Sequence, residues 1–342
     1  MSKTPLSVSL VIPAHNAERT LGACLEASCE LLNAGQLSEI IVVNDHSTDR
    51  TAEIIRSFPV KVYESNGRGP GAARNTGWAA AESDLVWFID ADCVPESDAL
   101  TQLLTHFVYP EVRGVGGSYG IADESSLLAR LIHEEILLRH SEMPLRVNVL
   151  ASFNLVYRRD ALSVVGGFNE RFQLAQDAEL SYRVLRRGGE LRFEKESRVR
   201  HYHPTKLFSY LFKQARQGYW RVWLYLHHPL RAGGDSYTKT YDVLQPPCAV
   251  LLVIVSLLYV LAPHWIAAIA AVLVLAAFLL LHAPMAAALV YHHGFLYLAF
   301  YPLSLLRSLY RAAGMLAGAC AALIALLRGR FPSVEQPAHG SL

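Results

Sequence analysis

Between Asp242 and Arg307 the chain contains no Asp, Glu, Lys or Arg. Charge is left out of a segment this long only where water is left out, and the segment exceeds the roughly 20 apolar residues that cross a bilayer core. Its densest blocks are Val250–Ala262 (VLLVIVSLLYVLA) and Ile266–Leu281 (IAAIAAVLVLAAFLLL), separated by Pro263, His264 and Trp265. One charged side chain at mid-membrane costs at least ~2.5–3.5 kcal/mol on insertion scales, so the exclusion is selective. The expected organisation is a folded domain over 1–204, an amphipathic segment over 205–242, a membrane domain over 243–330 and a disordered tail over 331–342.

The charges around this segment carry information about sidedness. After Asp242 the only acid is Glu335, whereas Arg307, Arg311, Arg328 and Arg330 are basic. The positive-inside bias puts those arginines on the cytoplasmic side and calls for an even number of crossings. Two spans, 246–262 and 265–284, meet that demand, with Pro284 and His292-His293-Gly294 closing the second. Phe295–Leu327, interrupted by Arg307 and Arg311, would then lie in the interface or re-enter, using Gly314 and Gly318 for close helix packing; a third full span is the rival arrangement. Ser7–Ile12 is too short for a signal-peptide apolar region. The five cysteines are scattered, without CxxC or zinc spacing, and suit a reducing compartment. A multi-pass protein of the cytoplasmic membrane with its soluble domain in the cytoplasm is expected. A net charge of +1 gives no electrostatic case for nucleic acid.

Short apolar runs alternate with helical patterns through the first 110 residues. Strands are expected at Leu6–Ile12, Glu39–Val43, Val60–Tyr63 and Leu85–Ile89. Helices are expected at Ala17–Asn33 (N-capped by Asn16), Asp49–Ser57 and Pro70–Ala81. This alternation implies an α/β fold with a mostly parallel, mixed sheet and helices on both faces. Further strands are expected near Gly114–Tyr119 and Phe153–Tyr157, and helices near Glu124–His140 and Gln176–Arg187. Ligands of such sheets bind beyond the carboxyl ends of the strands. Those ends are Pro13-Ala14-His15-Asn16, Asn44-Asp45-His46-Ser47 and Asp90-Ala91-Asp92.

In an extended chain, Asp90 and Asp92 point the same way, and two carboxylates together suit a hard divalent cation that also takes phosphate oxygens. Asp45, ending the second strand, can accept from the ring N–H of a nucleobase, while Asp49 caps the next helix. Gly67-Arg68-Gly69-Pro70-Gly71-Ala72-Ala73-Arg74-Asn75 joins close-approach glycines, two cations and a helix N-terminus, which favours anions such as a diphosphate. His201 and His203 fall on one side of a strand end. Thr205–Leu226 mixes aromatic residues with Lys206, Lys213, Arg216 and Arg221, the composition of a helix lying at a membrane interface.

Taken together, LVIPAHN (10–16), VVNDHSTD (42–49), GPGAARNTG (69–77), FIDADC (88–93), VGGFNE (165–170) and QDAELSYRVLRRG (176–188) resemble the family-2 glycosyltransferases, in the family's order and over about 200 residues. The resemblance implies the GT-A fold, a nucleoside-diphosphate sugar donor, Mg²⁺ or Mn²⁺ as cofactor, and inversion at the anomeric carbon. It places Pro13, His15, Asn16, Asp45, Arg68, Arg74, Asn75 and Asp90 at the donor, Asp90, Asp92 and His201 at the metal, and Asp177 as catalytic base. The family usually reads Glu-Asp where this chain has Gln176-Asp177, so the base is kept and a neighbouring carboxylate is gone. Independently, a helix start favours an ionised Asp177, and Glu179 can pair with Arg183 one turn on. Gln217-Gly218-Tyr219-Trp220-Arg221 inverts the Arg-Trp order of the processive-synthase signature, which argues against a cellulose- or chitin-type polymerase. The expected activity is transfer of a sugar to a lipid or lipid-linked saccharide, in exopolysaccharide, glycolipid or cell-envelope assembly. A polyprenyl-phosphate acceptor and a catalytically inactive membrane scaffold are the alternatives.

Overall fold

The computed structural model describes residues 6–67 and 69–329, with the side chain of residue 240 set aside. The expectations placed on Arg68, Arg330 and the tail over 331–342 lie outside the described residues. The chain divides into two compact units, one built from the residues up to Ala129 with Arg139–His203, the other from Arg130–Leu138 with the residues from Pro204 onward.

In the first unit the strands are β1 (Val8–Ala14), β2 (Glu39–Asn44), β3 (Lys61–Glu64), β4 (Leu85–Ile89), β5 (Cys93–Pro95), β6 (Val112–Ile121), β7 (Arg146–Val147), β8 (Asn154–Arg158) and β9 (Glu190–His201). The helices interleaved with them are α1 (Leu21–Asn33), α2 (Thr51–Arg56), α3 (Pro70–Ala80), α4 (Ala99–Leu104), α5 (Leu127–Ser141), α6 (Arg159–Val165) and α7 (Gln176–Arg186). One sheet runs β3-β2-β1-β4-β8-β6-β9-β5, with β7 attached to β9. Strands β3, β2, β1 and β4 are parallel, β8 is antiparallel to β4 and β6, and β9 returns parallel to β6. The mixed, mostly parallel sheet is as expected.

Sequence explains the layering. β1, β2 and β4 are near-continuous apolar runs because both of their faces are covered. Along β1, Val8, Leu10 and Ile12 pack with Leu21 and Leu25 of α1, while Val11 packs with Ala73 of α3 on the other face. Each large apolar side chain so buried contributes about 1.5–3 kcal/mol. Strand order reverses between β1 and β4, which opens a crevice at their carboxyl ends. Helix α1 begins four residues later than expected. Asn16 is not its N-cap: it sits at φ 48°, and its side chain accepts instead from Thr48 N–H at 2.8 Å. Asp49 does meet the start of α2, accepting from Thr51 N–H at 3.0 Å.

The second unit holds α8 (Leu207–His227), α9 (Thr240–Leu261), α10 (Trp265–His293) and α11 (Phe300–Leu327), with the middle of α5. Three segments, Tyr241–Leu261, Trp265–His293 and Phe295–Leu327, are long and apolar enough to cross a membrane. Their side chains are largely exposed, Val260 at 71%, Leu273 at 64% and Leu280 at 72%, a surface that water does not tolerate and lipid does. Two expectations need correction. The second helix runs through Pro284 and ends at His293 with Gly294 as its C-cap, so only the later of the two expected stops acts, and α11 is not interrupted by its arginines. Arg307 is buried and paired with Glu135, with further bonds to Ser304 at 3.2 Å and Tyr210 at 3.5 Å; Arg311 donates to Gln214 at 2.8 Å. Each cation has a built partner, so neither acts as a free charge at a membrane edge.

Gly314 and Gly318 do serve close packing, and the partner is α8. A Cβ on Gly314 would fall on the Ala215 carbonyl, and one on Gly318 on the Tyr219 carbonyl; Gly218 abuts the Arg311 backbone reciprocally. Because the obstacle is backbone, Gly314→Ala is expected to cost about 1–3 kcal/mol, read as a lowered thermal midpoint in detergent. An unchanged midpoint would show that the two helices are not in backbone contact.

Candidate active site

The site grows from the carboxyl ends of β1, β2 and β4. At the end of β2, Asp45 is buried, and one of its oxygens accepts from Gly69 N–H at 2.9 Å. The other oxygen, Oδ1, has no partner among the described residues. A buried carboxylate oxygen left open is an acceptor awaiting a donor. His15, following β1, shares a 2.6 Å hydrogen bond with the Asp45 carbonyl, and Asn16 ties to Ser47 and Thr48. Pro13 lies within β1 itself, in register with Val43 of β2.

The three described non-glycine residues with positive φ are Asn16, His46 and Ala175. Two close the β1 and β2 ends, and the third immediately precedes α7. Such backbone settings cost of order 1–3 kcal/mol each and collect where function demands them.

Beyond β4 the chain turns, with Cys93 N–H donating to the Asp90 carbonyl at 2.9 Å. Asp90 and Asp92 therefore lie on a turn, and strand alternation is not what aims them. Asp90 pairs with the buried Arg74 of α3 at 2.5 Å, and that guanidinium lies over the Phe168 ring, 5.6 Å from its centroid. Asp92 instead faces His201, with Oδ2 3.3 Å from Nε2. The sheet explains this meeting: β5 pairs antiparallel with β9 so that Cys93 lies opposite His201. His201 and His203 also touch each other through their Nδ1 atoms, 3.0 Å apart.

Asp92, Cys93 and His201 are close enough to hold one ion. The half-exposed Asp92 carboxylate and the imidazole suit a divalent cation with some taste for nitrogen. Cys93 does not: burial pushes its thiol well above the usual range, and a protonated thiol is no ligand for a hard cation. Asp92 and His201 fit a metal, whereas one oxygen of Asp90 is committed to Arg74.

Asp177 stands in the first turn of α7. Its Oδ1 accepts from Ala178 N–H at 2.8 Å and its Oδ2 from Ser152 N–H at 3.4 Å. Burial pushes this carboxyl above the usual range, and the Asp90 charge adds to the effect. The Ala178 N–H, the Arg74 guanidinium and the Ser152 N–H pull the other way without cancelling it. Asp177 thus shares its electrostatic surroundings with both members of the Arg74–Asp90 pair. The side chain is partly open to solvent, enough to be reached, while its surroundings are dry enough to raise its affinity for a proton.

The Glu179–Arg183 pair forms as expected, at 2.7 Å, and it does more than steady a helix. Arg183 also donates to the carbonyls of Val165 at 2.6 Å and Gly167 at 2.7 Å. Asn75 grips the same loop, accepting from Phe168 N–H at 2.8 Å and donating to the Phe168 carbonyl at 2.9 Å and to Glu170 at 2.8 Å. With Trp78 Nε1 also donating to it at 3.0 Å, the Asn75 amide is fully used by the protein. It fastens the VGGFNE loop to α3 and has no hydrogen-bonding capacity left for a donor. The hold of Arg183 on the loop carbonyls and the contacts of Phe168 and Ser152 were not visible in the sequence; the VGGFNE motif marked the loop but not its contacts.

Residues 9–166 match the family model of glycosyl transferase family 2. That stretch has the sequence of a family-2 glycosyltransferase domain. It is 31% identical over 204 residues to the probable glycosyltransferase YdaM of Bacillus subtilis, covering 54% of this chain and 48% of that one. It is 27% identical over 234 residues to glycosyltransferase AglE of Haloferax volcanii, covering 66% and 76%. The chain thus spans about half the length of the first of these relatives. Among solved structures, the mannosyltransferase PcManGT of Pyrobaculum calidifontis, in complex with GDP-Man and Mn²⁺, superposes with a TM-score of 0.57 at 19% identity, over 93% of this chain and 88% of that one. The family-2 glycosyltransferase domain has the GT-A fold, and the apolar helices follow it.

Proposed function

We propose that this family-2 glycosyltransferase moves a sugar from a nucleoside-diphosphate donor to a hydroxyl of a lipid or lipid-linked saccharide, with inversion, at the cytoplasmic membrane. The observation that carries the reading is Asp177, a desolvated carboxylate at a helix start beside the Arg74–Asp90 pair. Asp177 takes the proton of the acceptor hydroxyl as that oxygen bonds to the anomeric carbon, and the bond from that carbon to the diphosphate breaks. The nucleoside diphosphate leaves with the bonding pair. A carboxyl with a raised proton affinity is better matched to this task near neutral pH than an ordinary one.

Asp45 Oδ1 receives a ring N–H of the base, and Arg74 supplies a buried positive charge toward the diphosphate. Asp92 and His201, with Asp90 adjoining, would hold Mn²⁺ or Mg²⁺, the imidazole favouring Mn²⁺. When bound, such an ion supplies positive charge against the departing diphosphate. PcManGT is described with GDP-Man and Mn²⁺, which supports the same pairing of donor and metal here. A phosphate acceptor is already ionised near neutral pH and scarcely needs a base, so a retained Asp177 favours a hydroxyl.

The exposed apolar helices support a membrane site, and the free cysteines of the first unit, Cys24, Cys29 and Cys93, suit a cytoplasmic catalytic unit. Exopolysaccharide, glycolipid or envelope assembly is the setting such an enzyme serves. Incubating purified protein with UDP-, GDP- and dTDP-sugars and Mn²⁺ is expected to release nucleoside diphosphate from one donor class. Release from none of them, with metal present and the protein folded, would remove the transferase reading.

A further inference from the structure

From Ser197 to Gly234 the chain carries seven cations and no acid. Five of those cations fall into two kinds. Arg198 pairs with Glu196 and Arg221 with Asp235. Lys206, Lys213 and Arg216 are exposed, and among the described residues no acidic side chain meets them.

Helix α8 uses one face and leaves the other open. Tyr210, Leu211, Gln214 and Gly218 are buried, and Gln214 and Gly218 meet α11. Ser209, Lys213 and Arg216, spaced i, i+4 and i+7, share the opposite side, and Phe212 stands at its edge, its exposed ring meeting Tyr310 of α11 edge-on at 5.9 Å. Phe208 lies one turn before Phe212, and the two rings are exposed at 69% and 62%. Leu207 is exposed beside them at 39%. The open face therefore carries an aromatic strip along a cationic one.

Two occupants are conceivable for such a face, and the charges choose between them. A second copy docking by two-fold symmetry would lay this cationic strip against itself or close to itself, which is repulsive. Anionic headgroups complement it, and aromatic rings beside cations are how an in-plane helix sits at the boundary of headgroup and acyl chain. We infer that the open face of α8 is a docking surface for the headgroups of anionic phospholipids, with Phe208 and Phe212 at the acyl boundary and Lys206, Lys213 and Arg216 on the phosphates. The inference rests on the membrane association of this unit and is independent of which sugar is transferred.

The test places the full chain in nanodiscs of phosphatidylcholine, alone or with about one third phosphatidylglycerol. Lysine amines are then acylated with a water-soluble reagent and quantified by peptide mass spectrometry. With phosphatidylglycerol, Lys206 and Lys213 are expected to react about fivefold more slowly, while exposed Lys195 on β9 serves as an unchanged internal standard. The protection should fade at about 1 M salt, where screening acts within a few ångströms. Arg216→Glu, which leaves both reporter lysines in place, should weaken it. Equal labelling in the two lipids overturns the inference. Protection that ignores lipid charge, salt and Arg216→Glu also overturns it, since a protein copy or an uncharged apolar contact would then be covering the face.

Discussion

Asp177→Asn is expected to lower turnover by roughly 10²-fold or more while changing donor affinity only a few-fold. The amide preserves the shape of the carboxyl at the start of α7 and can still accept from Ala178 N–H, but it cannot take a proton. The pH profile of the unmodified enzyme gives an independent check. Burial raises this carboxyl, so the acid limb of kcat/KM should lie above the ordinary carboxylate range, with activity lost as pH falls through it. The sign for stability is opposite to that of a salt-bridged aspartate. A carboxyl raised on folding binds its proton more tightly in the native state, so stability declines as pH rises from the unfolded pKa to the folded one. Asp177→Asn should therefore leave the thermal midpoint at neutral pH unchanged or raised. A variant that turns over nearly normally would mean that Asp177 is only a helix-start residue, or that the acceptor is a phosphate; the linkage in the product separates these.

Asp92→Ala is expected to abolish transfer and metal-dependent nucleotide binding while leaving the fold intact. Asp92 is half-exposed on a turn and contributes nothing to the apolar layers, so its loss should not reach the core. Its carboxylate and His201 converge to 3.3 Å, and removing it leaves one imidazole and an Asp90 already tied to Arg74, too little to hold a hard cation against water. Titration calorimetry with the donor's nucleoside diphosphate, in Mn²⁺ and in EDTA, reads the effect. Binding that persists in Asp92→Ala and ignores EDTA would refute the metal assignment. His201→Ala should weaken Mn²⁺-dependent binding in the same assay, and His201→Ala with undiminished binding would leave the carboxylates as the whole site.

Much of the first unit was legible because its signals are local. The runs that became β1, β2 and β4 are apolar on both faces, and their polar ends were readable as the points where the chain leaves the core. The pairing of Glu179 with Arg183 follows from helical spacing. The motif around Asn75 says where it lies and not where its amide points, and the amide bonds to the backbone of Phe168 across 93 residues of chain. For the DAD triplet the geometry differs from the expectation. Alternation along a strand was the sequence argument, and a turn at Asp90–Cys93 is the structural fact.

By itself the sequence determined the class of fold, the family, the uncharged segment and the identity of the carboxylates, since periodicity, motif order and the exclusion of charge are properties of neighbours along the chain. Only the tertiary structure decided what those carboxylates meet. Asp92 faces His201 because β5 lies against β9, Asp90 is held by Arg74, and Arg307 in α11 finds Glu135 in α5, 172 residues away. The energy of a charged group depends on which other charges and how much water surround it within a few ångströms. That neighbourhood is set by strand register and helix packing, which join residues whose separation in sequence carries no trace of their contact.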